Sequence, residues 1–181
     1  MHKLSMFNMF VFVQNFLKEQ HSGKELSILD VGSQDINGTF KGLFANEPLW
    51  KYEGMDMVEG GNVDIVVSQL YEWKEIGNNK YDVVISGSAF EHIEFPWLTI
   101  EEITRVLKPG GLVCITVPST GFEHRFPIDC YRYYPDGLRA LAKWAGLTVI
   151  SAHKCWDINQ IDDEPNFWKD SVLIATKQLK S

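Results

Sequence analysis

A chain of 181 residues, 45% apolar and 23% charged, is long enough for one domain with a full core. Its net charge of -7 excludes a general electrostatic grip on nucleic acid or anionic membrane, and no Lys/Arg run offers a local one. The three cysteines, Cys114, Cys130 and Cys155, lie far apart without Cys-x-x-Cys spacing. That excludes a disulfide framework or a cysteine-built zinc site, leaves no metal expected, and fits a reducing cytoplasm.

The apolar start, Met1 to Leu17, is interrupted by Asn8, Gln14 and Asn15 and lacks a small-residue cleavage site, so it does not read as a signal peptide. Met6, Met9, Phe10, Val13, Phe16 and Leu17 recur at helical spacing. They predict an amphipathic helix within residues 1–22, packed on the domain and too short and polar to span a bilayer. His21-Ser22-Gly23-Lys24 breaks it.

Leu26 to Val31 then reads as a strand buried on both faces, stopped at once by Gly32. A short helix follows near Thr39 to Ala45, with Asn37 as a candidate N-cap. Tyr52 to Val58 is a second strand carrying Asp56, and Val63 to Val67 a third, after the turn Gly60-Gly61-Asn62. Tyr81 to Ser86 is a fourth. Leu98 to Leu107 has helical periodicity, and Lys108-Pro109-Gly110-Gly111 reads as its stop. Leu112 to Val117 is the fifth strand, Pro135 to Trp144 a helix, Leu147 to Ala152 the sixth strand and Phe167 to Thr176 the last. Strands alternating with helices predict an α/β fold with a mostly parallel, doubly wound sheet, and ligands at the carboxyl ends of the strands.

Those strand ends carry the candidate site residues. Asp56 stands where an acid can accept hydrogen bonds from both ribose hydroxyls of a nucleoside, or where a loop acid is simply solvated. Asp30, inside an apolar strand, needs a hydrogen bond or a cationic partner, such as an ammonium group. The turn Gly32-Ser33-Gln34-Asp35 lacks the glycines of a pyrophosphate loop and carries an acid, so it suits a nucleoside without phosphates.

Taken together, the chain resembles the class I S-adenosylmethionine-dependent methyltransferases, in the broad group that modifies small molecules. The resemblance covers about Leu26 to Val149. It rests on Leu29-Asp30-Val31-Gly32-Ser33, Gly54-Met55-Asp56, Tyr81-Asp82-Val83-Val84-Ile85, Phe90-Glu91-His92-Ile93 and Leu107-Lys108-Pro109-Gly110-Gly111. It implies a three-layer, Rossmann-like, seven-stranded sheet with the last strand antiparallel, and S-adenosyl-L-methionine as cofactor. It further implies Asp30, Gly32 and Ser33 around the methionine part, Asp56 on the ribose, Met57, Gln69 and Leu70 flanking the adenine, and Ser86 on the floor near the sulfonium. Three departures stand out. The family's second loop glycine is Gln34 here, the third is displaced to Gly38, and the acid often found after the third strand is replaced by Ser68-Gln69.

Methyl transfer is an in-line displacement from an activated donor, so positioning dominates, and some acceptors also need a base. The Asn/Asp-Pro-Pro-Tyr/Phe motif and the Pro-Cys nucleophile of nucleobase enzymes are absent; Ser86-Gly87-Ser88-Ala89 follows the fourth strand instead. His92 is one candidate base, a backbone-bonded helix start the alternative. The aromatic and charged stretch Gly121 to Tyr134 is long for a connection and is expected to overhang the acceptor pocket. There His124, Asp129 and Arg132 read either as a base and an anion clamp or as a surface loop tied by an Asp129–Arg132 ion pair. The expectation is a cytoplasmic enzyme transferring methyl to a small-molecule acceptor at oxygen or nitrogen, with no nucleic-acid or membrane partner. A homodimer or a partner subunit stays open. The alternatives are a catalytically silent cofactor-binding subunit supporting a partner protein and, disfavoured by the missing glycines, an NAD-type oxidoreductase.

Overall fold

The computed structural model describes residues 3–155 and 168–179. Seven strands form one sheet in the order β3-β2-β1-β4-β5-β7-β6. They are β1 (Leu26–Val31), β2 (Trp50–Asp56), β3 (Ile65–Val66), β4 (Tyr81–Gly87), β5 (Leu107–Pro118), β6 (Leu147–Lys154) and β7 (Asp170–Lys177). The first five pair in parallel, while β7 runs antiparallel to both β5 and β6. This is the expected Rossmann-like sheet with an antiparallel last strand.

The continuous apolar runs split by pleat between two cores. Leu29 and Val31 of β1, Val84 of β4 and Val113 and Ile115 of β5 face one cluster. It also takes Ile100 and Ile103 of α4 (Pro96–Val106) and Leu138 and Ala142 of α5 (Pro135–Trp144). Ile28, Val83, Ile85 and Cys114, one residue out of phase, face the other with Met9 and Phe12 of α1 (Lys3–Phe12), Phe40 and Phe44. A side-chain period of two on a strand therefore fills both helical layers from one run. Cys114 is a core residue, its thiol pushed above the ordinary range by burial.

Several local expectations are corrected. The first helix continues from α1 as a π-helical stretch, Val13–Lys18, and ends in α2 (Glu19–His21). Its buried face is Leu4, Ser5, Asn8, Met9, Phe12, Val13 and Leu17, while Phe10 is 45% exposed. The wider π turn rotates the later side chains, and a polar residue replaces an apolar one. The Asn8 amide donates to Thr116 Oγ1 at 3.5 Å and Asp170 Oδ2 at 3.4 Å, tying α1 to β5 and β7. The helix after β1 is only α3 (Lys41–Phe44), and Thr39 Oγ1, not Asn37, accepts the Lys41 N–H.

Lys108-Pro109-Gly110-Gly111 is not a helix stop but the start of β5, which begins one residue after α4 ends and carries a register shift opposite Tyr81/Val83. Lys108 spends its charge on Asp82, at 2.8 Å, rather than on the helix end. The last strand begins at Asp170; Phe167 and Met1 lie outside the described residues. Between β1 and β4 the strand order reverses, and a cleft opens at their carboxyl ends.

Candidate active site

The turn after β1 is held by its own strand neighbour rather than by more glycines. Gly32 takes φ +76, and both its N–H and that of Ser33 donate to the Met55 carbonyl at 2.9 and 3.1 Å. A Cβ on Gly32 would stand 2.5 Å from the Ala89 Cβ, so glycine is needed there for backbone and packing together. From the other side, the loop between β2 and β3 closes on the turn. Ser33 Oγ donates to the Asn62 carbonyl, Asn62 Nδ2 to the Ser33 carbonyl, and the Asp35 N–H to the Gly61 carbonyl, each at 2.9 Å. The clasp shapes a turn that carries Gln34 and Asp35 after its single glycine.

Under this turn Asp30 is buried and accepts the Tyr52 hydroxyl at 2.5 Å; the Asn62 amide donates to the same hydroxyl oxygen at 2.8 Å. Burial pushes the Asp30 carboxyl up to about 7, against the Tyr52 hydrogen bond, and a cationic group beside it would restore its charge. At the end of β2 the Asp56 carboxylate accepts the Gln34 N–H at 3.1 Å and the Met57 N–H at 2.7 Å. Each oxygen keeps a lone pair for a further donor. Met55, Met57, Val67, Leu70 and Trp73 supply an apolar slot beside it.

Across the cleft, β4 is followed by Ser88, whose φ of 51 is left-handed, and by a single 3-10 turn, Phe90–His92. Glu91 is 1% exposed, its Oε2 has no hydrogen-bond partner, and its side chain lines the cleft. Burial pushes its carboxyl up to about 8; Asp170 and Asp129 add to the rise and Arg132 opposes it. His92 Nδ1 lies 2.6 Å from the Ile128 carbonyl, a contact that requires a proton on Nδ1 and leaves Nε2 as the basic nitrogen. Burial holds the imidazole below its ordinary value, hence neutral at pH 7.

The segment at 119–134 folds over this end of the cleft. Its Cys130 and Tyr131 N–H groups donate to the Glu91 carbonyl, and the Tyr131 hydroxyl donates to the Glu94 carbonyl. Arg132 grips Asp129 through both terminal nitrogens, at 2.6 and 2.7 Å, and donates to the Phe122 carbonyl. Asp129 also accepts the His124 N–H and is held far below the ordinary carboxylate range, chiefly by Arg132. The pair braces the loop that carries His124, Arg125, Phe126 and Pro127 into the cleft. The His124 ring packs edge-on against His92 and Trp168, with ring centroids 4.8 and 4.9 Å away.

One cleft of about 670 Å³ thus gathers Asp30, Gly32, Ser33, Asp56, Met57, Leu70, His92 and His124 of the sequence-predicted residues. Gln69 is exposed at its edge, Ser86 is fully buried with its hydroxyl on the Val31 carbonyl, and Asp129 and Arg132 stand outside the lining. Glu91, Tyr52, Asn62 and Trp168 were not singled out from the sequence. Glu91 stands beside His92 in Phe90-Glu91-His92-Ile93, but nothing in a linear pattern announces an orphaned carboxylate oxygen. Among the described residues, no helix is long and apolar enough to cross a membrane.

The sequence profile of the methyltransferase domain family matches residues 44–115. No curated protein sequence matches the chain. Among solved structures it is similar to the 1,6-didemethyltoxoflavin-N1-methyltransferase of Burkholderia thailandensis, at TM-score 0.70 and 16% identity over 97% of this chain and 79% of that one. A S-adenosylmethionine-dependent methyltransferase of Methanosarcina mazei gives 0.68 and 15% over 93% and 98%. Phosphoethanolamine N-methyltransferase 2 of Haemonchus contortus gives 0.65 and 17% over 96% of this chain and 53% of that one. The family profile thus covers the central strands, and the chain shares its Rossmann-like fold with S-adenosylmethionine-dependent methyltransferases of known structure.

Proposed function

We propose that the protein transfers a methyl group from S-adenosylmethionine to an oxygen or nitrogen of a small-molecule acceptor. The observation that carries this reading is the single cleft, which has a nucleoside-like end at Asp56 and a polar, histidine-bearing end at Glu91, His92 and His124. Its volume suits a small ligand pair.

The residues fit the cofactor. Asp56 has free lone pairs for ribose hydroxyls, and Met57, Leu70 and Trp73 give an apolar slot for a flat base. Asp30 and Glu91 are carboxyl groups without a cationic partner in hydrogen-bond contact, suited to an ammonium and a sulfonium rather than to phosphates. When bound, S-adenosylmethionine supplies an activated methyl on sulfur.

This chain's own part is to bind, orient and exclude water. Asp56 and the Gly32 turn hold the nucleoside and methionine ends; the loop braced by Asp129–Arg132 covers the acceptor. His92 Nε2 is the atom placed to take a proton from an acceptor hydroxyl or ammonium, because Nδ1 is committed to Ile128. The Burkholderia and Haemonchus enzymes are by name N-methyltransferases, which is consistent with such an acceptor.

The test is calorimetric titration with S-adenosylhomocysteine and NAD, then turnover of labelled S-adenosylmethionine against a panel of hydroxyl and amine metabolites. S-adenosylhomocysteine binding, no NAD binding and acceptor-dependent transfer are expected. Binding without transfer to any acceptor would favour the silent-subunit reading, and no S-adenosylhomocysteine binding would sink both.

A further inference from the structure

We propose that Glu91, His92 and His124 form a binding site for a first-row divalent cation such as Zn²⁺ at the acceptor end of the cleft. One ligand atom from each lies within 4.8 Å of the others. The Glu91 Oε1 to His92 Nε2 distance is 3.8 Å.

Two independent features prepare Glu91 and His92 to ligate, and a second imidazole stands beside them. The Glu91 side chain is 1% exposed, with Oε2 unpartnered in a structure whose buried polar atoms are otherwise mostly bonded. The His92 Nδ1–H is directed at the Ile128 carbonyl, the usual outer-sphere arrangement that turns Nε2 toward a metal as a lone pair. His124 Nδ1 is occupied by its own neighbours, 3.4 Å from Asp129 Oδ2 and 3.5 Å from the donor Arg132 Nη2, while the ring stands edge-on to His92 at 4.8 Å.

Two imidazoles and one carboxylate favour first-row transition cations over Mg²⁺, which prefers oxygen. Ligand atoms on one ion at about 2.0–2.2 Å stand about 3–3.5 Å apart, so the triad must close by about 1 Å. His124, with its side chain 35% exposed against 14% and 1% for His92 and Glu91, is the member with most room to shift. Three protein ligands leave positions on the cleft side for an oxygen or nitrogen of another molecule. That last role rests on the methyltransferase reading and replaces the base role of His92 Nε2, whose lone pair a bound ion would take; the binding itself does not rest on that reading.

The experiment uses the full chain, stripped with chelator, and titrates it with Zn²⁺, Co²⁺ and Mg²⁺ by calorimetry, with Co²⁺ absorption in parallel. Wild type is expected to bind one equivalent of Zn²⁺ or Co²⁺ and to show Co²⁺ d–d bands. Glu91→Gln and His124→Ala, both confirmed folded by circular dichroism, should bind at least about tenfold more weakly, since even outer-sphere losses cost about 10–100-fold. His124→Ala removes a partly exposed loop side chain and so keeps the test open if Glu91→Gln does not fold. Absence of saturable binding, binding of Mg²⁺ alone, or unchanged affinity in both variants would overturn the proposal. So would a thiolate charge-transfer band, which would place the ion on exposed Cys130 instead. S-adenosylhomocysteine affinity is measured on the same samples: its loss with metal binding intact would fail the methyltransferase reading alone, and the reverse would fail the metal site alone.

Discussion

Replacing Asp30 by Asn should change how stability depends on pH, and the size follows from its burial. The carboxyl titrates near 7 in the folded protein against an ordinary 3.8, because desolvation outweighs the Tyr52 hydrogen bond. Below pH 3.8 it is protonated in both states and costs nothing. Between 3.8 and 7 the unfolded chain releases its proton while the folded one retains it, so stability falls as pH rises. At about 1.4 kcal/mol per pH unit, that interval gives about 4 kcal/mol lost by pH 7 and above. An Asn side chain keeps an oxygen to accept the Tyr52 hydroxyl but cannot ionise.

Urea unfolding of the ligand-free wild type and Asp30→Asn between pH 4 and pH 8 measures the difference directly. Their stability difference should drift in favour of Asn by about 4 kcal/mol over that range; other titrating groups, Glu91 among them, cancel in the subtraction. A flat difference would refute the desolvated, neutral Asp30. The same substitution should weaken S-adenosylhomocysteine, since the amide cannot offer the cofactor's ammonium a counter-charge.

Asp56→Ala should weaken S-adenosylhomocysteine by about 1.5–3 kcal/mol, the scale of a hydrogen bond to a charged group. Calorimetry on the folded variant reads this as about 10–150-fold in Kd, and unchanged affinity would remove Asp56 from the ribose role. Gly32→Val should destabilise the fold by about 1–3 kcal/mol through the left-handed backbone alone, plus the collision with Ala89, and should abolish cofactor binding. A thermal melt with wild-type Tm would show that the turn can relax.

Much of the sheet was legible before any coordinates. β1, β4 and α5 fall where apolar runs, Gly32 and Pro135 put them, because buried strands and capped helices leave a local signature. Two of the expectations that failed did so where tertiary partners override local preference. Lys108 to Gly111 look like a helix stop but are drawn into β5 by pairing with β4 and by the Lys108–Asp82 contact. The N-terminal helix reads as amphipathic from Met6 to Leu17, yet its buried face includes Asn8, since Thr116 and Asp170 wait for an amide more than a hundred residues away.

The site divides in the same way. Asp56, Gly32 and His92 could be placed in the cleft from the sequence because each stands at or shortly after a strand end, and strand ends of this fold converge there. What the sequence could not decide was the state of those groups. The clasp of Asn62 on Ser33, the Arg132 grip on Asp129 and the gathering of Glu91, His92 and His124 all join segments distant in the chain. Whether a carboxyl group is solvated, paired or stranded in a dry cleft depends on which atoms surround it. That is a property of the packed interior, and only the tertiary structure assembles it.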